Sequence, residues 1–425
     1  MTEETKPKLD AGKVLTQELV GEGKGAPRGG GRQVAQAVIV PLLAVVTALL
    51  IGALIIILTT ESVYAAFRAS IGSGLVESLR VVGEAYGALF AGAFGDPAKI
   101  AAAISSGDAQ AIRRAVNPFF ESLVAATPYI YGGLAVALGF RGGLFNIGVE
   151  GQLFVGALCA TFVGYALTGL PTIVHLPLTI LAGALGGAIW GFVPGYLKAK
   201  TGAHEVINTI MMNYIAFRLS DWLLSGPMKR AESFNPVSPW IQDSAKLPRF
   251  FDSPIRFHAG FFLALIVAGL VWWFLFRTRW GFDLRTVGAN PHAARYAGMS
   301  IVLWTVMAMG ISGALAGMAG SNEVIGVNYN MAMSFSSGYG FDSIALALLG
   351  NSHPVGVVLS ALLFGALRNG ATRMQVVAGI PIDIISILQA LILMFIAAPA
   401  IIRSIYRLRA AGKGEQVVSL RSWGE

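Results

Sequence analysis

Arg141-Gly142-Gly143-Leu144-Phe145-Asn146-Ile147-Gly148-Val149-Glu150-Gly151-Gln152 sets an Asn, a Glu and a Gln among glycines, between two long apolar segments. A charged side chain at the bilayer centre costs roughly 2.5–3.5 kcal/mol on insertion scales, so such groups face a bundle interior or a solute pathway. Irregular backbone at membrane depth is tolerated only where protein or a cavity surrounds it. The stretch therefore predicts a break between two membrane helices, turned into the bundle. With helix from Val149 onward, Asn146 and Glu150 fall on one face. These groups either line a solute path or hydrogen-bond the backbone that the break frees, and the residues alone leave both open.

Composition around that stretch agrees. Mean hydropathy is +0.66, hydrophobic residues make up 55% of the 425 and charged ones only 13%, which no soluble domain of this size shows. The sole cysteine, Cys159, lies in an apolar stretch and reads as a packing residue, without a disulfide or a thiolate cluster. The scattered histidines lack the spacing of a zinc helix, so no metal is expected. The fold class is all-α: a polytopic helical membrane protein with a broken or re-entrant segment near Gly142–Gln152.

Hydropathy divides the chain. Residues 1–33 form a polar, aperiodic tail, read as disordered and cytosolic. Residues 34–403 form the membrane body, and 404–425 a second cytosolic tail. Apolar runs of the roughly 20 residues that a bilayer needs fall at Val34–Leu58, Pro118–Gly139, Leu144–Thr168, Thr172–Leu197, Val206–Leu224, Gly260–Phe276, Val302–Gly320 and Ile382–Ile402. A shorter pair lies at Ser343–Leu349 and Val355–Leu367, giving eight to ten spans. Residues 61–116, with turn signals at Gly95-Asp96-Pro97 and Ser105-Ser106-Gly107-Asp108, read as short amphipathic helices outside the membrane.

Basic residues in the short loops give the orientation. Lys and Arg cluster before Val34, at Lys198 and Lys200, at Arg277, Arg279, Arg285 and Arg295, and after Ile402. All four clusters share one side if the spans alternate. Both termini and the loop 277–300 are then cytosolic, and the proline-rich loop 226–257 is extracytoplasmic. The net charge of +8 is mostly topological, and no nucleic-acid partner is inferred from it.

Two further patterns carry information. Gly183, Gly187, Gly191 and Gly195 form a glycine stripe along one span, echoed by Gly313 and Gly317, which lets another helix approach closely. In the loop 277–300, Asn290 is a good N-cap and Pro291 suits the first helical position, so a short helix should run to about Tyr296 and end at Gly298. Its Ala293-Ala294 pair offers a flat face beside His292 and Arg295. That face suits either docking into a partner's cleft or an ordinary capped connector.

Here the chain resembles a family. Ala293-Ala294 followed by Gly298 and Ile301, in the context Val287 to Gly298, resembles the coupling helix of ATP-binding-cassette importer permeases of the branched-chain amino acid and simple sugar permease family. Within it, Gly142 to Gln152, Gly202-Ala203-His204-Glu205 through Asn213-Tyr214-Ile215, and Gly340-Phe341-Asp342 through Gly350-Asn351 look like the longer permease subunit of nucleoside importers. The resemblance covers roughly residues 117–402 and implies a multi-pass subunit of a bacterial cytoplasmic membrane. It also implies a second permease, a cytosolic ATPase and an extracytoplasmic solute-binding protein as partners. Arg285, Asn290, His292, Ala293, Ala294, Arg295 and Gly298 would couple it to the ATPase. Independently, no Gly-Lys-Ser or Gly-Lys-Thr occurs, so the chain lacks a P-loop; no cofactor is expected on it, and ATP would be used by the partner. Asn146, Glu150, Gln152 and Asn213 are expected on the solute path, with Asn322, Glu323 and Asn328 near its outer end. Glu205 is expected to anchor the cytosolic end through Lys198 or Lys200.

Two rival readings compete. Gly310-Ile311-Ser312-Gly313 with His353, and His204 with Asn208, mimic rhomboid intramembrane serine proteases, although such short patterns arise by chance in a chain with 52 glycines. An ion-driven secondary carrier would also contain a broken helix with polar groups at the midplane, but has no use for the capped Ala-Ala helix.

Overall fold

The computed structural model describes residues 30–407; most of the expected N-terminal tail and the last eighteen residues of the sequence lie outside them. The described chain forms two compact bodies: residues up to 47 together with those from 398 onward, and residues 48–397. In the smaller body the Thr47 hydroxyl donates to the Leu43 carbonyl at 2.7 Å and meets the Tyr406 hydroxyl at 3.0 Å.

In chain order the helices are α1 (Gly30–Thr59), α2 (Glu61–Ala69), α3 (Ile71–Phe94), α4 (Pro97–Ser106), α5 (Ala109–Arg141), α6 (Val149–Ala166), α7 (Thr172–Thr201) and α8 (Glu205–Ser225). After the loop come α9 (Gly260–Arg277), α10 (Arg279–Ala289), α11 (Pro291–Tyr296), α12 (Ile301–Asn322) with a wider π-helical turn at Glu323–Asn328, α13 (Tyr339–Leu349), α14 (Pro354–Ala378), α15 (Ile382–Ala397) and α16 (Pro399–Ile405). Among the described residues seven stretches are long and apolar enough to cross a membrane: Leu42–Thr59, α5, α6, α7, α9, Ile301–Asn328 and α14. The expected span at Val206–Leu224 is a helix, α8, but Arg218 and Asp221 make it less apolar. The expected span at Ile382–Ile402 breaks at Ala398-Pro399 into α15 and α16.

One expectation needs correction. Residues 61–116 do not form only short amphipathic helices, because α3 alone runs 24 residues, about 36 Å at 1.5 Å per residue. Its small residues Ala85, Ala88 and Gly92 are buried, and Gly92 lies against Gly370 of α14. The Asn369 amide donates to the Gly92 and Pro118 carbonyls, both at 2.8 Å. Pro118, whose ring leaves a gap in the ladder of α5, therefore lies inside a helix that begins at Ala109, capped by Asp108.

The glycine stripe finds its partner within the chain. Gly187 faces Gly313 and Gly317 of α12, Gly191 faces the Met309 carbonyl, and Gly195 meets the Met309 side chain. Gly183 sits against Ser321 and the Gly156 carbonyl, and Cys159 packs on Gly186. The opposite face of α7 exposes Leu181, Leu185, Ile189 and Phe192, an apolar surface suited to lipid.

The larger body has two ends. At one lie Arg141 and Arg285, both over the Phe276 ring, the Lys198–Glu205 ion pair at 2.8 Å, and α10–α11. Glu205 is thus tied to Lys198, as expected of it. At the other end the loop 226–259 packs down with Ile241, Leu247, Ile255 and Phe257 buried, and His175 meets the Ser244 hydroxyl at 2.7 Å.

The pairing of α7 with α12 predicts an asymmetry between neighbouring glycines. A Cβ on Gly313 would overlap the Gly187 backbone, whereas one on Gly310 meets nothing within 4 Å. Gly313→Val should lower the melting temperature of the purified protein by several degrees, in line with the roughly 1–3 kcal/mol cost of overpacking, while Gly310→Val melts like the parent. Equal melting of the two variants would remove this contact as the basis of the pairing.

Candidate functional site

The break between α5 and α6 is held by a closed set of hydrogen bonds. Gly143 adopts a left-handed conformation (φ 71°) against the Gly288 backbone, and residues 144–148 run without helix. The Asn146 and Gln152 carboxamides face each other, at 2.9 and 3.2 Å. Asn146 also donates to the Ser312 hydroxyl at 2.8 Å and accepts from the Gly148 amide at 2.9 Å. The Asn213 amide oxygen accepts from Gly151 N–H at 2.8 Å, and its nitrogen donates to the Ile147 carbonyl at 3.0 Å. The Glu150 carboxylate accepts from the Gly340 amide at 2.5 Å, in the first turn of α13, where a helix favours negative charge.

Asn146 and Glu150 therefore do not share a face. Asn146 precedes the helix and turns to Gln152 and Ser312, while Glu150 turns to α13. All four expected path residues in this region are buried, with hydrogen bonds spent on the chain itself. Ser312 completes the set by donating to the Ala135 carbonyl at 2.7 Å. Among the described residues it has no histidine partner: His353 accepts from the Val355 amide and stacks on Phe276 at 5.3 Å.

A cavity of about 280 Å³ opens towards the end covered by the loop 226–259, just below the roughly 300–1,000 Å³ of ordinary small-molecule sites. Its walls are Glu121, Val124 and Ala125 of α5, Arg256 of the loop, Glu323, Val327 and Asn328 of the π-helical turn, Phe335, Tyr339 of α13, and Arg368, Asn369 and Thr372 of α14. Single π-helical turns recur at functional sites, and this one ends α12 beside the cavity. Arg256 forks onto Glu121 at 2.5–3.2 Å. Arg368 donates to the Tyr129 hydroxyl, lies 3.5 Å from Asp342 and sits 4.5 Å over the Tyr339 ring. The Tyr129 hydroxyl in turn donates to Asp342 at 2.7 Å. Beneath the loop, burial and the nearby Arg249 and Arg256 push the His258 imidazole down to about 4, so it is neutral near pH 7.

Of the three residues expected near the outer end, Glu323 and Asn328 line this cavity together. Asn322 does not. It faces a separate void of about 10 Å³, beside Tyr131, Ser321 and Ile325, room for about one water. Sequence reasoning missed Glu121, Arg256, Tyr339 and Arg368. Arg368 carried a legible signal, a charge within an apolar helix; the pairing of Arg256 with Glu121, 135 positions apart, carried none.

At the opposite end α11 forms as its sequence demands. Asn290 accepts from the Ala293 amide at 3.0 Å, Pro291 opens the helix, and Gly298 is left-handed (φ 81°). The expected flat Ala-Ala face is corrected, because Ala294 is fully buried against the chain's own body. The outward surface is His292, Ala293, Arg295 and Tyr296, the last 97% exposed. Arg285 turns inward, donating to the Gly281 carbonyl.

Comparison of the sequence with known proteins finds transport permeases. Residues 119–397 match the family described as branched-chain amino acid transport system / permease component. A guanosine ABC transporter permease protein of Bacillus subtilis is 40% identical over 86% of this chain and 94% of its own length. A glucose ABC transporter permease protein of Haloferax volcanii is 37% identical over 65% of the chain and 75% of its own length. A nucleoside ABC transporter permease protein of Lactococcus lactis is 33% identical over 66% and 79%. No solved structure matches the chain.

The hydrogen-bonded break makes a thermodynamic prediction. Asn213→Ala strands the Gly151 amide and the Ile147 carbonyl, and should cost roughly 1–3 kcal/mol in unfolding of the detergent-solubilised protein. In a double-mutant cycle, Asn146→Ala and Ser312→Ala should couple by roughly 0.5–3 kcal/mol. Additive effects would mean that the two side chains do not share one network.

Proposed function

We propose, from the premise that the chain belongs to the branched-chain amino acid transport permease family, that it carries nucleosides into the cytoplasm. It is a multi-pass permease subunit of an ATP-binding-cassette importer. Neither the serine protease nor the ion-driven carrier draws support from its relatives or from the surroundings of Ser312.

The observation that carries the substrate reading is the cavity beside the π-helical turn. It combines aromatic walls at Phe335 and Tyr339 with acidic, basic and amide groups, and a nucleoside presents a flat apolar base face together with hydroxyls and polar edges. That is the composition expected of a site for such a solute. The names of the Bacillus and Lactococcus relatives agree with it, and the glucose relative is compatible with a sugar moiety as part of what the family recognises.

Positively charged short loops belong on the cytosolic side. Lys198, Lys200, Arg277, Arg279, Arg285 and Arg295 support a reading with α10–α11 in the cytosol and the loop 226–259 outside, where a solute-binding protein would deliver to the cavity. A cytosolic ATPase would seat on the outward surface of α11. ATP binding in that partner would draw α11 with it and bias this permease and a second one towards one access state, the difference in contacts between states supplying the drive. Asn146, Glu150, Gln152 and Asn213 keep the broken segment rigid between the two ends and do not contact solute.

Uptake of labelled nucleosides into cells with and without the gene tests this reading. Gene-dependent uptake should fall at least roughly tenfold when the exposed Ala293 is replaced by Asp, with the protein still in the membrane, because a desolvated carboxylate would enter the docking surface. Uptake that ignores Ala293→Asp would remove α11 from the coupling, and no gene-dependent uptake of any nucleoside would end the substrate assignment.

A further inference from the structure

We infer that Glu323 is the specificity-determining residue of the cavity, and that it selects solutes offering two adjacent hydrogen-bond donors to one carboxylate. The inference rests on the nucleoside reading and deepens it.

Each arginine of the cavity already has an acidic partner, Arg256 on Glu121 and Arg368 beside Asp342 and Tyr129. Glu323 differs. Its side chain is 6% exposed, lines the cavity, and among the described residues makes no hydrogen bond or ion pair. A buried carboxylate costs several kcal/mol unless its oxygens find donors, and none of the described residues supplies them. The π-helical turn sets Glu323 at the head of the wall that also bears Asn328, in a cavity that Tyr339 lines too. A solute stacked on Tyr339 or Phe335 would fill the need from inside the cavity.

Two oxygens on one carboxylate match two donors on neighbouring atoms, in the forked geometry that Arg256 adopts towards Glu121. A nucleoside has two sources of such a pair: the cis-diol of ribose, and the N1–H with the 2-amino group of guanine. Both present the same chemistry to Glu323. Groups that accept but do not donate, such as a phosphate ester, would meet the carboxylate unfavourably. Charge-assisted pairs of this kind commonly separate a matched solute from one lacking the donors by roughly ten- to a hundredfold.

The test compares the intact importer carrying wild-type, Glu323→Gln or Glu323→Asp permease, with every partner subunit unchanged. Labelled guanosine uptake is competed by inosine, which lacks the 2-amino group, and by 2′,3′-dideoxyguanosine, which lacks the diol. Wild type should reject one analogue by roughly ten- to a hundredfold, and which one identifies the source of the donors. Glu323→Gln should erase that preference and Glu323→Asp should keep it. If Glu323→Gln stops all uptake, retained uptake and preference in Glu323→Asp still support the carboxylate; loss in both variants assigns Glu323 to packing and overturns the inference. Unchanged preference in Glu323→Gln overturns it too. Wild type that takes up no nucleoside at all fails the underlying reading instead, which keeps the two failures apart.

Discussion

A glycine-rich break in a membrane helix leaves amides and carbonyls that lipid cannot satisfy, and each must be paired inside the protein. The rest of this structure depends on that requirement. Between Arg141 and Val149 Asn146 takes the freed Gly148 amide and Asn213 the Ile147 carbonyl, while Gln152 braces the Asn146 carboxamide and Ser312 ties the set to α12. Glu150 extends it to α13 by holding the Gly340 amide, where Gly340 packs directly on the Glu150 backbone. One short segment thereby fixes the relative positions of α5, α6, α8, α12 and α13.

The same helices connect the two ends of the larger body. Close packing of α7 on α12 through facing glycines holds α12 along its length, so that its π-helical end is presented firmly at the cavity. Its beginning follows α11 after a short turn, with Ala294 of α11 buried in the body and the Met299 amide bonded to the Ala294 carbonyl at 2.9 Å. α11 is thus joined to a helix whose far end carries Glu323. Two-state elements that join distant sites work through such rigid connections.

Much of this was legible in the sequence, for definable reasons. Helix positions followed from hydropathy, and the α11 cap from Asn290-Pro291, because both depend on local chemistry. The glycine stripe announced close packing and Gly313 with Gly317 repeated the device, but only the fold could pair the two. The length of α3 was obscured because Glu77, Arg80 and Glu84 interrupt its apolar pattern, while its burial comes from small residues on α14. The polar groups of the break were found readily, but their partners were not, since a carboxamide facing a solute and one facing a backbone amide look alike in one dimension. Most of the cavity escaped for the same reason: its walls are drawn from α5, the loop 226–259, the π-helical turn, α13 and α14.

The central claim is that the polar break is an internal brace and that the solute meets the protein at the Glu323 cavity. Cysteine labelling of the importer tests this most directly, in a Cys159→Ala background carrying either Thr372→Cys or Gln152→Cys. The account predicts that Thr372→Cys reacts with a membrane-impermeant thiol reagent and is protected by a transported nucleoside, while Gln152→Cys stays unreactive in either case. Nucleoside-protected labelling at Gln152→Cys, with Thr372→Cys indifferent to solute, would contradict it and return the path to the break.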